Sequence, residues 1–162
     1  MQPNFAVRAG TLADVEIIVA HRRAMFFDGG FHDQRALDEM SAAFGPWLRR
    51  KMQAGEYLAW FAVSDDNHIA AGAGLWLMDW PPHMIGPGRY RGNIVNVYTD
   101  PRFRRVGLAM RLMETVLDWC RNNRVRAVIL HASDEGRPLY DKLGFTATNE
   151  MRIVLDDPAD GQ

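Results

Sequence analysis

Two stretches of this chain carry residue types whose spacing could do chemistry. The first, Arg104-Arg105-Val106-Gly107-Leu108-Ala109, lies between an apolar strand-like run and a helical one. Backbone N–H groups that open a helix lack intrahelical acceptors, and the helix dipole adds partial positive charge there. A glycine among them lets a phosphate approach the main chain, and neighbouring arginines add charge, so the stretch suits a pyrophosphate. It is neither a Walker loop, having no Gly-Lys-Ser/Thr, nor a three-glycine dinucleotide fingerprint. A strand-to-helix turn with solvated arginines would share the lone glycine. The second stretch, Pro138-Leu139-Tyr140-Asp141-Lys142-Leu143-Gly144-Phe145, places a phenol 36 positions after Arg104 and supplies a second half for the same site.

The elements that must position these groups follow from periodicity and punctuation. Residues 5–8 read as a short opening strand. Thr11 is an N-cap for a helical run through Val15, Ile18, Val19 and Arg22, which Gly29-Gly30 interrupts. Residues 33–52 read as a second helical region, with Pro46 starting a new turn at Trp47 and Leu48. Residues 57–63 and 69–78 are strand-like, joined by the turn residues Ser64-Asp65-Asp66-Asn67-His68. A Pro/Gly-rich loop spans residues 79–92, and loops of that length in a small domain are often functional. Residues 94–99 form the next strand, stopped by Asp100-Pro101. Ala109, Leu112, Met113, Val116, Leu117 and Cys120 recur at helical spacing. Residues 125–130 read as a strand buried on both faces, 134–142 as a short helix ended by Gly144, and 150–155 as a last strand.

Composition bounds the function classes. A chain of 162 residues, 48% hydrophobic and 24% charged, suits one soluble globular domain with a sizeable core. A net charge of −1 gives no global field for nucleic acid or an anionic membrane. No apolar run approaches the roughly 18 residues of a membrane span. The residues Met1-Gln2-Pro3-Asn4 lack the pattern of a signal peptide, and a reducing cytoplasm is the default expectation. The single Cys120 excludes an internal disulfide and a multi-cysteine metal site.

The run Val95-Asn96-Val97-Tyr98-Thr99-Asp100-Pro101 through Arg105-Val106-Gly107-Leu108-Ala109, followed by Leu139-Tyr140-Asp141-Lys142-Leu143-Gly144-Phe145, resembles the GCN5-related N-acetyltransferase (GNAT) family. Two signatures in the family's order and separation are more specific than either alone. From first residue to last they span about a third of the chain, and the element order agrees over nearly all of it. The resemblance implies an α+β fold: a single mixed, mostly antiparallel sheet of six to seven strands with helices on both faces. It implies one N-acetyltransferase domain over residues 1–156 and a polar tail over 157–162. It also implies acetyl-CoA as cosubstrate, no metal, and direct attack by an amine on the thioester.

Carried onto this sequence, the cofactor site comprises Val97, Tyr98 and Thr99 on the strand and Arg104, Arg105, Val106, Gly107, Leu108 and Ala109 in the loop. The Val97 N–H would polarise the acetyl carbonyl; a core valine is the plainer reading, and both can hold. Ser133 stands where many members carry an asparagine that bonds the pantetheine. Lys142 would steer the nucleotide phosphates or be a solvated helix lysine. Tyr140 is the expected general acid: a phenol of reference pKa ~10 is protonated at neutral pH and can donate to a departing thiolate. The competing reading packs Tyr140 on the cofactor, or has it cap the helix, without proton transfer.

The general base is the least defined part. Asn93 and Asn96 occupy the strand where many members carry a glutamate, leaving Asp79, His83, Glu150 or an ordered water relay. His131 ends a central strand, and a buried, hydrogen-bonded state is its common outcome. The acceptor side is expected to take residues 25–32, residues 76–80 and the loop through Arg89. Phe26, Phe27, Phe31 and Trp80 suggest an aromatic cleft, Asp28 a partner for an ammonium, and Arg89 or Arg91 a partner for a carboxylate; core packing of those side chains is the plainer reading. The resemblance implies a small-molecule amine or a peptide as acceptor, with no nucleic acid or membrane partner expected. Homodimers are common in the family. A non-catalytic acyl-CoA-binding sensor of the same fold is the alternative reading.

Overall fold

The computed structural model describes residues 4–156. The chain forms one five-stranded sheet in the order β1-β2-β3-β4-β5. These strands are β1 (Phe5–Ala9), β2 (Tyr57–Ser64), β3 (Ile69–Asp79), β4 (Tyr90–Thr99) and β5 (Val128–Leu130). The first three pairings are antiparallel and β4–β5 is parallel, so the sheet is mixed. Among the described residues four α-helices accompany it: α1 (Val15–Asp28), α2 (Gln34–Gln53), α3 (Leu108–Asn122) and α4 (Arg137–Lys142).

The period of two along β2 sorts the sheet's faces. Tyr57, Ala59 and Phe61 pack with Val15, Ile18 and Leu48 beneath α1 and α2. Trp60 and Ala62 point the other way and join Leu75, Ile94, Leu112, Met113, Val116 and Cys120 beneath α3. The helical spacing of Leu112, Met113, Val116 and Cys120 thus becomes a buried stripe. Thr11 and Asp14 form a capping box that starts the α1 region, and Arg8 of β1 bonds both Asp14 carboxylate oxygens, at 2.9 and 2.7 Å.

Several expectations need correction. The sheet has five strands among the described residues, not six to seven. Residues 150–155 are not a strand: they are irregular and exposed, because no sheet edge meets them. The polar tail expected over 157–162 lies outside the described residues. Pro46, expected to start a new turn, sits inside the continuous 20-residue α2. Its missing N–H removes one helical bond, while Leu48 is fully buried and anchors the turn that follows. The buried strand expected over 125–130 shrinks to the three residues of β5, all half-buried, since only β4 pairs with it. The helix expected from 134 begins at Arg137, after the turn held by Ser133. No helix among the described residues is long and apolar enough to cross a membrane.

Candidate active site

The site begins where the sheet opens. β4 and β5 pair at Gly92↔Val128, Asn93↔Ile129 and Ile94↔Leu130, and there the pairing stops. Residues 95–99 of β4 therefore run on with no strand on that side, and Val97, Tyr98 and Thr99 belong to this stretch. On the other side the register to β3 slips between Gly74↔Val95 and Gly72↔Tyr98. Asn96 and Val97 thus lie opposite the single residue Ala73, a bulge that bends β4 and re-aims its main chain.

A buried polar network fixes the bulge. Asn96 has φ of +57°, a left-handed conformation that asparagine tolerates better than most residues. Its amide donates to the Tyr57 hydroxyl at 2.7 Å, and its carbonyl accepts from Arg22 Nη1 at 2.8 Å. Tyr57 comes from β2, two strands away, and reaches Asn96 because Gly74 leaves the space: a Cβ there would collide with the hydroxyl. Burial pushes the Tyr57 phenol well above its ordinary pKa, so it stays neutral. The Arg22 guanidinium lies 5.0 Å from the Phe26 ring centroid and 4.8 Å from that of Phe44.

Beyond Thr99 the chain makes a 3-10 turn (Pro101–Phe103) and enters the arginine–glycine loop. Arg105 and Gly107 are both left-handed, with φ of +65° and +83°. The N–H groups of residues 105–108 find no main-chain acceptor, and nothing lies within 4 Å of a Cβ built on Gly107. Successive N–H groups in such a turn form a concavity that can receive an anion. This cradle, opening into α3, fits a diphosphate. Leu108, 5% exposed, roots the loop in the core, whereas Val106 stands 47% exposed. Arg104 serves partly as a strut: its Nε donates to the Thr99 carbonyl at 3.1 Å and its guanidinium pairs with Asp28 at the end of α1. Asp28, expected to meet an acceptor ammonium, is engaged by that arginine instead.

Across the opening, α4 holds Tyr140 at 9% exposure, its ring 6.0 Å from that of Phe145. Burial raises the phenol's pKa and keeps it protonated. The hydroxyl has no hydrogen-bond partner among the described residues, yet it is not sealed from solvent. Ser133 Oγ accepts from the Gly136 N–H at 3.1 Å, which leaves its own hydrogen free to donate. Lys142 is exposed at the end of α4 and has no ion-pair partner among the described residues.

Three base candidates are not brought here. Asp79 pairs with Tyr90, seven residues before Val97 and thus about 23 Å back along β4. The loop bearing His83 leaves from that same end, and Gly86 within it lies against Ala127, before β5 begins. Glu150 is tied to Arg91, also at that end, at 2.8 Å. His131 is exposed rather than buried, because β5 ends before it. The aromatic acceptor wall divides likewise. Phe26 and Phe31 pair at 5.6 Å near the open stretch, Trp80 stacks under Arg91 at the far end, and Trp76 packs into the core against Trp47. Among the described residues no cluster of three or more His, Cys, Asp or Glu is placed to hold a metal ion.

Sequence reasoning passed over His21. It is 7% exposed on α1, its ring 4.8 Å from that of Tyr98, with Nδ1 only 2.9 Å from where a Gly72 Cβ would stand. Its signal was faint: a histidine on the apolar side of α1 facing a strand glycine. Burial lowers its pKa from 6.5 to about 4, only partly opposed by Asp100. Between those values the unfolded chain binds a proton that the folded chain refuses, so stability rises with pH across the window and its full value holds above 6.5. About 3 kcal/mol should therefore be lost between pH 7 and pH 4 through this group. Urea unfolding of the wild type and His21→Gln at both pH values checks this. The variant should lose correspondingly less, and an identical loss would remove His21 from the account.

Known proteins share this architecture. Residues 20–145 match the model of the acetyltransferase (GNAT) family. The chain is 32% identical over 109 residues to a glucosamine 6-phosphate N-acetyltransferase of Trypanosoma brucei brucei, covering 67% of this chain and 70% of that protein. It superposes with a TM-score of 0.87 on a GCN5-related N-acetyltransferase of Ralstonia eutropha JMP134, at 32% identity, over 94% of this chain and 99% of that one. A predicted acetyltransferase of Clostridium acetobutylicum, solved with acetyl-CoA, shares the fold with a TM-score of 0.85 at 24% identity, over 94% and 96% of the two chains. With the open β4 stretch and the left-handed loop beside it, these matches decide the family: the chain is an acyltransferase that belongs to the GNAT acetyltransferases.

Proposed function

We propose that this enzyme moves the acetyl group of acetyl-CoA to the amine of a small-molecule acceptor, by direct attack within a ternary complex. The observation that carries the reading is the stretch 95–99, open on its β5 side and leading through one 3-10 turn into the 105–108 cradle. Diphosphate held on the loop N–H groups puts a pantetheine arm within reach of the free β4 main chain. The bulge at Asn96 then turns the Val97 N–H toward the acetyl carbonyl, where it supports the developing oxyanion. Tyr140 donates its proton to the departing thiolate, and its burial keeps that proton in place at neutral pH. Ser133 contributes a hydroxyl donor to the pantetheine, and Arg105 and Lys142 add positive charge near the nucleotide. With Asp79, His83 and Glu150 remote, the ammonium loses its proton to an ordered water relay.

The acceptor enters from the α1 side, between the Phe26–Phe31 pair and the bulge. The relative at 32% identity acts on glucosamine 6-phosphate, which supports an amine of a small polar molecule and puts that amino sugar first in a test panel. Free-thiol release is measured with acetyl-CoA and the panel, alongside calorimetry with coenzyme A. Acceptor-dependent thiol release is expected. Tight coenzyme A uptake without turnover on any amine would overturn the catalytic reading in favour of a sensor, and no uptake would overturn the site.

Tyr140→Phe separates proton donation from packing. The ring contacts survive, so coenzyme A affinity should change little, while kcat should fall by about a hundredfold or more. Unchanged turnover under chemistry-limited conditions would remove Tyr140 from the acid role.

A further inference from the structure

Arg22 carries a charge that the chain does not answer. Of the arginines among the described residues, Arg22, Arg23 and Arg91 are half-buried and the others are exposed. Arg23 pairs with Asp38 and Arg91 with Glu150, each at 2.8 Å. Arg22 has no carboxylate partner: its one hydrogen bond runs from Nη1 to the neutral side-chain carbonyl of Asn96. Its Nε is buried without a partner. Nη2, on the same edge of the planar fork, also has no partner among the described residues and is not sealed from solvent. Burial pulls the guanidinium pKa below its ordinary value with no carboxylate opposing it, although an arginine stays charged at neutral pH. The Phe26 and Phe44 rings offer their faces to the cation but no acceptor to its N–H groups. A buried donor left unpaired is costly, and a half-buried charge without a counter-ion more so.

We propose that Arg22 selects the acceptor, and that the acceptor amine bears an oxyanion, a carboxylate or a phosphate, gripped by the free Nε–Nη2 edge. The inference rests on the acyl-transfer reading above and names the chemical class of its acceptor. Arg22 lies one helical turn before Phe26, whose pair with Phe31 borders the acceptor's entrance. Its bond to Asn96 holds it against the bulge beside Val97, so the guanidinium and the reacting amine lie within the length of one small molecule. With Nη1 committed to Asn96, the fork has one edge left, and two parallel N–H groups match the oxygens of a carboxylate or phosphate. The acids of the neighbouring helix turns are engaged elsewhere, Asp28 by Arg104 and Asp38 by Arg23, so neither competes for that edge. A neutral amine leaves the edge unmet, and a site with an unmet buried donor discriminates against it.

Two matched acceptor pairs test this by thiol release: glucosamine 6-phosphate against glucosamine, and γ-aminobutyrate against its carboxamide. The wild type should favour the anionic member of one pair by about tenfold to a hundredfold in kcat/KM, and the pair that shows it identifies the oxyanion. In Arg22→Gln that ratio should fall close to one. Loss of the Asn96 contact slows both members alike, so a merely structural role would leave the ratio standing. A second measurement needs no turnover. In the NMR spectrum of the isotope-labelled wild type, the Arg22 Nε–H resonance, assigned by its absence from Arg22→Lys, should shift on titration with inorganic phosphate or acetate. Coenzyme A is present throughout to occupy the loop cradle. Ratios near one in both pairs, or a ratio that survives Arg22→Gln, would overturn the inference and leave acyl transfer intact. If every amine is inert, a shift upholds the anion site while the catalytic reading falls. An Arg22 resonance indifferent to both anions would overturn the anion site in either case.

Discussion

Replacing Gly107 by glutamate is expected to abolish coenzyme A binding while leaving the protein folded. Gly107 is left-handed at φ +83°, and nothing lies within 4 Å of a Cβ built on it, so the first atom of the new side chain meets no protein atom. The left-handed backbone costs a non-glycine residue about 1–2 kcal/mol, which a domain with this core absorbs. The ligand fares worse. The carboxylate stands where the diphosphate would sit, and two like charges about 4 Å apart at an effective dielectric near 20 repel by about 4 kcal/mol. That is about a thousandfold in affinity, before any steric loss. Gly107→Ala is the control: it shares the backbone penalty without the charge and should weaken binding far less. Calorimetry with coenzyme A on both variants, each with a melting curve, separates the effects. Full affinity in Gly107→Glu would show that the anion is gripped elsewhere.

Much of this arrangement could be read from the chain, and the exceptions have physical causes. The arginine–glycine loop was legible because its needs are local: a glycine for a left-handed turn and the start of an amphipathic helix lie within a few positions of each other. The stripe of α3 and the alternation of β2 are likewise carried by each segment alone. The bulge was not. Within its own strand Asn96 alternates like any residue of a two-faced strand, and its left-handed φ depends on Tyr57, 39 positions away, and on Gly74 making room for it. His21 was missed for the same reason, since its burial depends on Gly72 in a strand that follows much later. Strand propensity over 150–155 was visible, but propensity makes no ladder without a partner edge, and within one chain none meets it. Pro46 read as the start of a turn because a local rule was applied, whereas it sits inside α2, where the buried Leu48 anchors the helix from outside.

The second large effect is expected at Asn96. Asn96→Leu removes both hydrogen bonds of the buried amide, leaving the Tyr57 hydroxyl and the Arg22 guanidinium facing an apolar group. A stranded buried polar group costs about 1–3 kcal/mol, and more for a charge, so destabilisation of about 3–5 kcal/mol is expected with the left-handed strain included. Asn96→Asp makes the decisive comparison. Its oxygen in place of the amide nitrogen accepts from the Tyr57 hydroxyl, which reverses its role, while the other oxygen still accepts from Arg22, so the bulge should persist. If the bulge aims the Val97 N–H at the acetyl carbonyl, relaxing it removes an oxyanion donor, for which about a hundredfold to a thousandfold in kcat is the usual cost. The loop at 104–109 is untouched, so coenzyme A affinity should stay within a few-fold. Measured well below the melting point, Asn96→Leu should therefore lose kcat with coenzyme A affinity retained, and Asn96→Asp should recover most of it. A loss confined to melting temperature, with kcat per folded molecule unchanged, would make the network a brace for the sheet and take the Val97 N–H out of the reaction.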